Sequence, residues 1–577
     1  MNPPSDAWIF GSGTAALASA LYLVRRADFA PQQIHILDSH RSLSDALHHP
    51  GDPSTGYDQF AGCLPVPVGE PLQQLLALVP SVSNATQSVF DEIQTAELRR
   101  DSDTGSTEDS HTRFLVQRGD ALRIIPTQCL NLNMRQRLSL FRLLLKREKS
   151  LQRKQIRDYL PPQFFKSTFW AIWSAQFGFQ PWHSASEFRR TIRQYLRDFH
   201  GLNILSCLDI TGHYQFEATF LPMYHFLRSR GVDFLFDVRV RDIVTEVSQG
   251  KQVVTRIDLV ENGYEVCRPI GKDDIVIVTL GSTVSGSTTG TNEDPPSQAS
   301  MQASEALDEN WSLWLELGGK YDCFGDPYNF CTNKSESMLE SFTVTTEDLG
   351  FYQHLSSLVH CPPQTGVFVA LQESPWQMNL CLPMQPVFSE QPSNVRVFWG
   401  FANFPGKKGK YVKKTMLGCS GSEILTELLG HLHLESQYPM GRTMTVPRLM
   451  PRMSAILLAR AIGDRPGVIP RGISNLGLVG QFSEMSQYSC VDMSYSVRTA
   501  QRAVSHLTGS KIEQGRELHG YGLSTFFRIL LTSLIPIILS KPIQFSLKAL
   551  YVFHRCLDYL CPRPGSFNPP CFESICH

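Results

Sequence analysis

The run Trp8-Ile9-Phe10-Gly11-Ser12-Gly13-Thr14-Ala15-Ala16, answered by Ile34-His35-Ile36-Leu37-Asp38, decides the fold. Residues 8–10 form a short apolar strand that passes directly into a glycine turn. Leu17, Ala18, Ala20, Leu21 and Leu23 then recur at helical spacing, and Arg25 and Arg26 occupy the last turn, where cations suit the helix dipole. A second strand ends on Asp38, about 20 residues beyond the turn. Strand, Gly-x-Gly-x-x-Ala turn, helix, strand and distal acid make a complete β-α-β dinucleotide unit. Gly11 and Gly13 permit a tight turn and a close backbone approach to pyrophosphate. The helix N-terminus beginning near Ala16 favours that negative charge, and the Asp38 carboxylate accepts from a ribose hydroxyl.

Working outward, the segment 275–282 (IVIVTLGS) reads as a buried strand ending at Ser282, suited to cofactor contact. The segment 476–482 (LGLVGQF) is another buried strand running into Gly480, and 494–507 reads as a helix whose start meets the cofactor. An amino-terminal motif completed by late sequence points to FAD, with Val240, Glu484 and Ser496 added to the contacts. The expected architecture is α/β: a Rossmann-like FAD-binding domain with an inserted α+β substrate domain and a helical C-terminal region. Its segments are 1–60 and 231–290 for the FAD domain, 61–230 for a helical or mixed substrate cap, 291–450 for substrate binding, 451–510 for the FAD-domain closure and 511–577 for apolar helices and a tail.

A chain of 577 residues is too long for one compact core. Its formal net charge of −1 excludes nucleic acid as the main partner, because there is no basic excess to displace counterions from phosphates. Hydrophobic residues at 42% fit an ordered globular chain. Fourteen scattered cysteines without a CxxC suit reduced thiols and a cytoplasmic setting, and no metal site is expected. The start of the chain has no secretory pattern. The apolar run 529–539 (ILLTSLIPIIL) reaches only about 16 Å as a helix, half a bilayer core, so it reads as an interfacial segment or one packed on protein. The stretch 135–157 reads as a basic helix, by default a solvated face.

These pieces, in order, resemble the oleate hydratase family, also called the myosin-cross-reactive antigen family. The resemblance is carried by GSGTAALASALYLVRR at 11–26, IHILD at 34–38, FWAIWSAQFGFQPWHSASEFRR at 169–190 and DDIVIVTLGS at 273–282. FGDPYNFC at 324–331, SPWQM at 374–378, YVKKTMLGCSGSEIL at 411–425, RAIGDRP at 460–466, NLGLVGQFSE at 475–484 and YSVRTA at 495–500 extend it. The resemblance implies an FAD protein that binds a cis-unsaturated long-chain fatty acid and adds or removes water with no net redox. It also implies a homodimer and peripheral membrane contact through C-terminal elements.

Alkene hydration needs one group that donates a proton to carbon and another that takes a proton from water. The resemblance implies a Glu within an Arg-Gly-Gly-Arg-Glu-Met loop and a Tyr after the WHS helix. Here Leu64 stands at the Glu position, beside Cys63, and Thr191 stands at the Tyr position. Leucine accepts no proton and threonine is too weak an acid to replace a phenol. Candidate substitutes are Glu187, four residues before Thr191 and on its helical face; His183; and Cys63. Each also has a structural reading, as a satisfied buried polar group or a small core filler. The readings carried forward are a hydratase-like enzyme with altered catalytic groups, an FAD-dependent isomerase or ene-type oxidoreductase, and a non-catalytic lipid-binding flavoprotein.

Overall fold

The computed structural model describes residues 5–512 apart from 42–50, 59–62, 66–69, 83, 85, 105–112, 119–120, 125–131, 196–209, 249, 303–306, 362–365, 435–441 and 492. The chain divides into a unit Met1–Gly515 and a unit Arg516–His577. The second unit, with the apolar run 529–539 and Cys556, Cys561, Cys571 and Cys576, lies outside the described residues.

The first strand, Ala7–Phe10, is the middle of a five-stranded parallel sheet ordered 476–479, 275–279, 7–10, 34–37, 233–235. Its strands are apolar and mostly buried, as expected for a parallel sheet covered on its faces. Helix Thr14–Arg26 buries Ala15 to Leu23 and packs against helix Met493–Thr508. That late helix approaches the sheet closely: a Cβ on Gly477 would stand 3.0 Å from the Ala503 Cβ. Beside the sheet lies an antiparallel ribbon of strands Val238–Ser248, Lys251–Glu261 and Tyr264–Pro269. The Rossmann α/β expectation therefore holds.

A mixed eight-stranded sheet forms the second layer system, in the order 288–289, 443–450, 339–346, 396–402, 378–382, 367–371, 113–118, 121–124. It draws strands from both the 61–230 and the 291–450 segments. Phe342, Val344 and Phe398 join Leu425, Leu428 and Leu429 of helix Gly421–Leu432 in one apolar core. Alternation along Leu339–Thr346 puts Glu340 on the same strand face as Phe342 and Val344. Its carboxyl is 0% exposed and neither oxygen has a hydrogen-bond partner. Burial drives its pKa well above the usual carboxyl value.

The basic stretch 135–157 is not one helix. Helix Met134–Leu145 carries a capping box from Asn133 and Gln136, and Lys146 then turns to extended backbone. Two 3₁₀ turns follow, Glu148–Leu151 and Ile156–Asp158. Glu148 is the reason this region is more than a solvated face, because it pairs with Arg189 and Arg190. Among the described residues, no helix is long and apolar enough to cross a membrane, and no cluster of His, Cys, Asp and Glu could hold a metal ion.

Candidate functional site

The glycine turn lies at the carboxyl end of the parallel strands, where ligands of open α/β sheets bind. Gly11 has φ +95° and its amide donates to the Leu37 carbonyl at 2.9 Å. Gly13 is the N-cap of the first helix, and a Cβ there would meet nothing within 4 Å, so open space faces the helix start. Gly480 also has φ +95°, and its amide donates to Thr499 Oγ1 at 2.9 Å, which ties the end of strand Leu476–Val479 to the late helix. Thr279 stands between the two turns. Positions for a Cβ on Gly11 and on Gly480 both lie within 3.5 Å of its side chain. Its buried Oγ1 has no partner.

Asp38 is 3% exposed and holds the matching position at the end of the next strand. His40 donates to Asp38 Oδ1 from its backbone amide at 2.9 Å, and its ring Nδ1 lies 2.5 Å from the same oxygen. Burial alone would raise the Asp38 pKa, but hydrogen bonds from His40 and Ser12 bring it below the usual carboxylate range. Asp38 Oδ2 remains buried without a partner. An ionised, oriented carboxylate with one oxygen unspent is what a ribose hydroxyl requires, and the orphaned Thr279 hydroxyl and the open space at Gly13 fit the rest of a dinucleotide. Strand Val238–Ser248 starts against Asp38, through the Val238 amide to the Asp38 carbonyl at 3.0 Å, and Val240 is buried two residues further on. Ser282 gives its carbonyl to Trp311 Nε1, and Ser496 lies in the first turns of helix Met493–Thr508. Thr279 was missed from sequence because a threonine inside a Val/Ile strand carries no motif.

Glu484 was expected at the cofactor, but its carboxylate is committed elsewhere. It accepts from Arg190 at 2.6 Å and from Arg465 at 2.7 Å, and burial is outweighed by these cations, which hold it well below the usual range. Glu187 belongs to the same cluster. Its carboxylate is 0% exposed, accepts from Arg190 at 3.0 Å, Arg465 at 2.9 Å and also Arg460, and takes the Cys490 thiol at 3.2 Å. Burial would raise its pKa, yet Arg460, Arg465 and Arg190 bring it down to about 2. A carboxylate so held is a poor proton acceptor near neutral pH.

His183 is also spoken for. Its Nδ1 accepts the Gln180 amide at 3.0 Å and its Nε2 lies 3.3 Å from the Glu336 carbonyl. Burial pushes it down to about 4, so it is neutral at physiological pH. Thr191 shares the Glu187 face as expected, bonded to the Glu187 carbonyl at 2.9 Å and to Ser489 Oγ at 2.6 Å, with 0% exposure. It fills a packed interior rather than facing a cleft.

The altered loop is placed by its backbone. Strand Cys63–Pro65 pairs antiparallel with Ile210–Tyr214, with Cys63 opposite Tyr214 and Pro65 opposite Ile210. Leu64 therefore lies across from the stretch 211–213, which carries His213. The side chains of Cys63, Leu64 and His213 lie outside the described residues. Tyr57, at the start of the same loop, is fixed by its amide to Thr345 Oγ1 at 2.9 Å and stacks on Phe388. A mainly apolar cleft of about 590 Å³ opens beside it, lined among others by Val89, Tyr214, Glu217, Leu221, His225 and Phe388. Glu217 sits in a single π-turn, Phe216–Phe220, a local widening of the helix often found at functional sites. Burial raises its pKa, against the Ser389 amide that donates to it at 3.1 Å. Tyr214 and Glu217 had no sequence signal, because the pairing that brings them to residues 63–65 spans about 150 residues of chain.

A family model described as the MCRA family matches residues 4–505. The chain belongs to the MCRA family. It is 31% identical over 527 residues to an oleate hydratase of Streptococcus pyogenes, covering 88% of this chain and 86% of that one. It is 26% identical over 549 residues to a linoleate hydratase of Lactiplantibacillus plantarum, covering 88% and 94%. Among solved structures it is similar to a cyclohexylamine oxidase of Brevibacterium oxydans, at 10% identity with a TM-score of 0.47 over 88% of this chain and 99% of that one.

Proposed function

We propose that this protein holds FAD in the cradle formed by Gly11, Gly13, Thr279, Asp38 and Gly480, and acts on an unsaturated fatty acyl chain by adding or removing water. The observation that carries the reading is the Asp38 carboxylate, ionised and fixed by His40 with Oδ2 unspent, in a member of a family whose relatives include two fatty-acid hydratases. The flavin, if bound in that cradle, would contribute no net electrons to the addition or removal of water. Gly13 and the first helix would hold the pyrophosphate, and Asp38 the adenosine ribose.

Proton transfer cannot run through Leu64, and Glu187 and His183 are committed to neighbours. It then falls to the segment 210–220, which lies against the altered strand. Tyr214 and Glu217 line the cleft, and His213 stands by register beside Leu64. A carboxyl whose pKa burial has raised can hold a proton closer to neutrality and give it to alkene carbon, while an imidazole takes one from water. The apolar wall of Val89, Leu221 and Phe388 suits a hydrocarbon chain.

The test is product analysis by mass spectrometry from a panel of unsaturated acids in heavy-oxygen water. Label at one carbon of the former double bond supports the reading. NAD(P)H-dependent bleaching of the flavin with a saturated product would favour the ene-type oxidoreductase instead. A fatty acid recovered unchanged beside bound FAD would favour a lipid-binding flavoprotein without turnover, which the leucine at position 64 independently motivates.

A further inference from the structure

The cleft beside Tyr57 is built from three stretches of chain that share one property. The protein carries 53 Lys and Arg, yet none lies between Arg41 and Arg99, between Arg197 and Arg228, or between Lys334 and Arg396. Every described lining residue falls in one of these gaps: Val89 and Glu92 in the first, Tyr214 and Glu217 in the second, Phe388 and Ser389 in the third. The first gap holds seven Asp and Glu. Both arginines of the loop that the resemblance implies are missing from it, and Cys63 stands where one would be.

The charges that remain are negative. Glu92 and Glu217 are half-buried in the wall, and Glu390 is exposed next to Ser389 in the chain. The two wall carboxylates accept from uncharged donors, Glu92 from Ser81 Oγ at 2.6 Å and Glu217 from the Ser389 amide at 3.1 Å. Burial raises the Glu217 pKa against the Ser389 bonds, and the charge of Glu390 adds to the rise. Burial also raises the Tyr57 pKa, and the charges that add to it, Asp52, Glu390 and Glu217, are all acidic. His225, exposed, is the one described lining side chain that can become cationic.

An ionised carboxylate brought into this space would lose water, meet like charge and find no ammonium or guanidinium among the described lining residues. The walls otherwise offer apolar contact, with the Phe388 ring 4.6 Å from Tyr57 and 5.0 Å from Tyr214. The lack of cations is local to the cleft, since Arg190, Arg460 and Arg465 are all buried around Glu187 and Glu484 elsewhere.

We infer that the cleft takes an unsaturated acyl chain whose carboxyl group is esterified or amidated, and turns away the free fatty acid. The inference rests on the reading of this cleft as the acyl site and narrows the substrate to an uncharged lipid.

The experiment is equilibrium dialysis of the flavin-loaded protein at pH 8 with a medium-chain cis-alkenoic acid, its methyl ester, and the alcohol and amine of the same chain. The ester is expected to bind about tenfold or more tighter than the acid, and the less apolar alcohol should side with the ester. Val82→Lys, at an exposed position of the wall, should tighten the acid about tenfold and leave the ester unchanged. Ser389→Lys should act alike, and the melting temperatures of both variants should match that of the parent. The inference fails if the acid binds as tightly as the ester, as it would on entering methyl end first with its carboxylate outside. It fails too if the amine outbinds the ester, which would make this a cation site, or if both lysine variants keep the parent's ratio of acid to ester. Were no chain to bind, the acyl reading of the cleft would fall with it. Turnover is read separately, with the ester beside each acid: an ester that binds tightly and returns unchanged removes the proposed reaction and leaves the preference standing.

Discussion

Glu340→Gln isolates one buried proton. In the native protein the Glu340 carboxyl sits at 0% exposure with no partner for either oxygen, so burial holds its pKa well above 4.5. In the unfolded chain it ionises near its ordinary value, about 4.3. Between those two pKa values the native state binds one proton more than the unfolded state. Stability contributed by this group is therefore complete in acid and is lost as pH rises, at about 1.4 kcal/mol per pH unit until the folded pKa is reached. From pH 5.5 upward the loss accrues at that rate as far as the folded pKa. For a chain of this length, an unfolding entropy of about 2 cal/mol/K per residue converts it to about 1 °C in Tm per pH unit. Glutamine keeps the shape and cannot ionise, and the other titrating groups are common to both proteins. The assay is paired thermal melting of parent and variant across that range. The variant should gain on the parent by about 1 °C per pH unit as pH rises toward the folded pKa. Parallel profiles would show that Glu340 has found a charge partner or water, and would refute the reasoning.

Glu187→Gln leaves the guanidiniums of Arg190, Arg460 and Arg465 sharing Glu484 without their fully buried carboxylate and should cost about 3–5 kcal/mol of stability, read by denaturant unfolding. Because the Glu187 pKa is lowered to about 2, the stability it gives is present above the unfolded value near 4.5 and drains away as pH falls toward 2. Asp38→Ala removes the oxygen held for ribose, and FAD retention measured by flavin fluorescence on dilution should fall about tenfold to a hundredfold, whereas riboflavin retention should not change. Thr191→Val should leave product formation within about twofold of the parent. A loss of about 10²–10⁴ would place the hydroxyl in the chemistry after all.

The β-α-β unit at residues 7–38 was readable because each of its parts is local: strand, turn, helix and acid lie within one short stretch. The strands 275–279 and 476–479 were readable as apolar runs, although their order around the first strand was not. The ion cluster hid completely. Helical spacing correctly put Glu187 and Thr191 on one face, but the arginines that neutralise Glu187 come from residues 460 and 465, and the acid that completes the network comes from residue 484. Spacing reports which side of a helix a group takes, not what distant chain arrives there. The same limit applies to Glu340, whose neighbours across the sheet are Ala402 and Leu449, and to Tyr214 opposite Cys63.

The central sheet has a consequence for how the protein is made. Its middle strand, 7–10, is synthesised well before one of its edges, 476–479. At about 5–20 residues per second, the glycine turn must wait tens of seconds on the ribosome before the strand that carries Gly480 emerges. Until then the 275–279 strand has an open edge, and the Gly480 side of the cradle is missing. A nascent chain stalled before helix Met493–Thr508 would be an aggregation hazard rather than a smaller working protein, and cofactor loading should follow the synthesis of that helix.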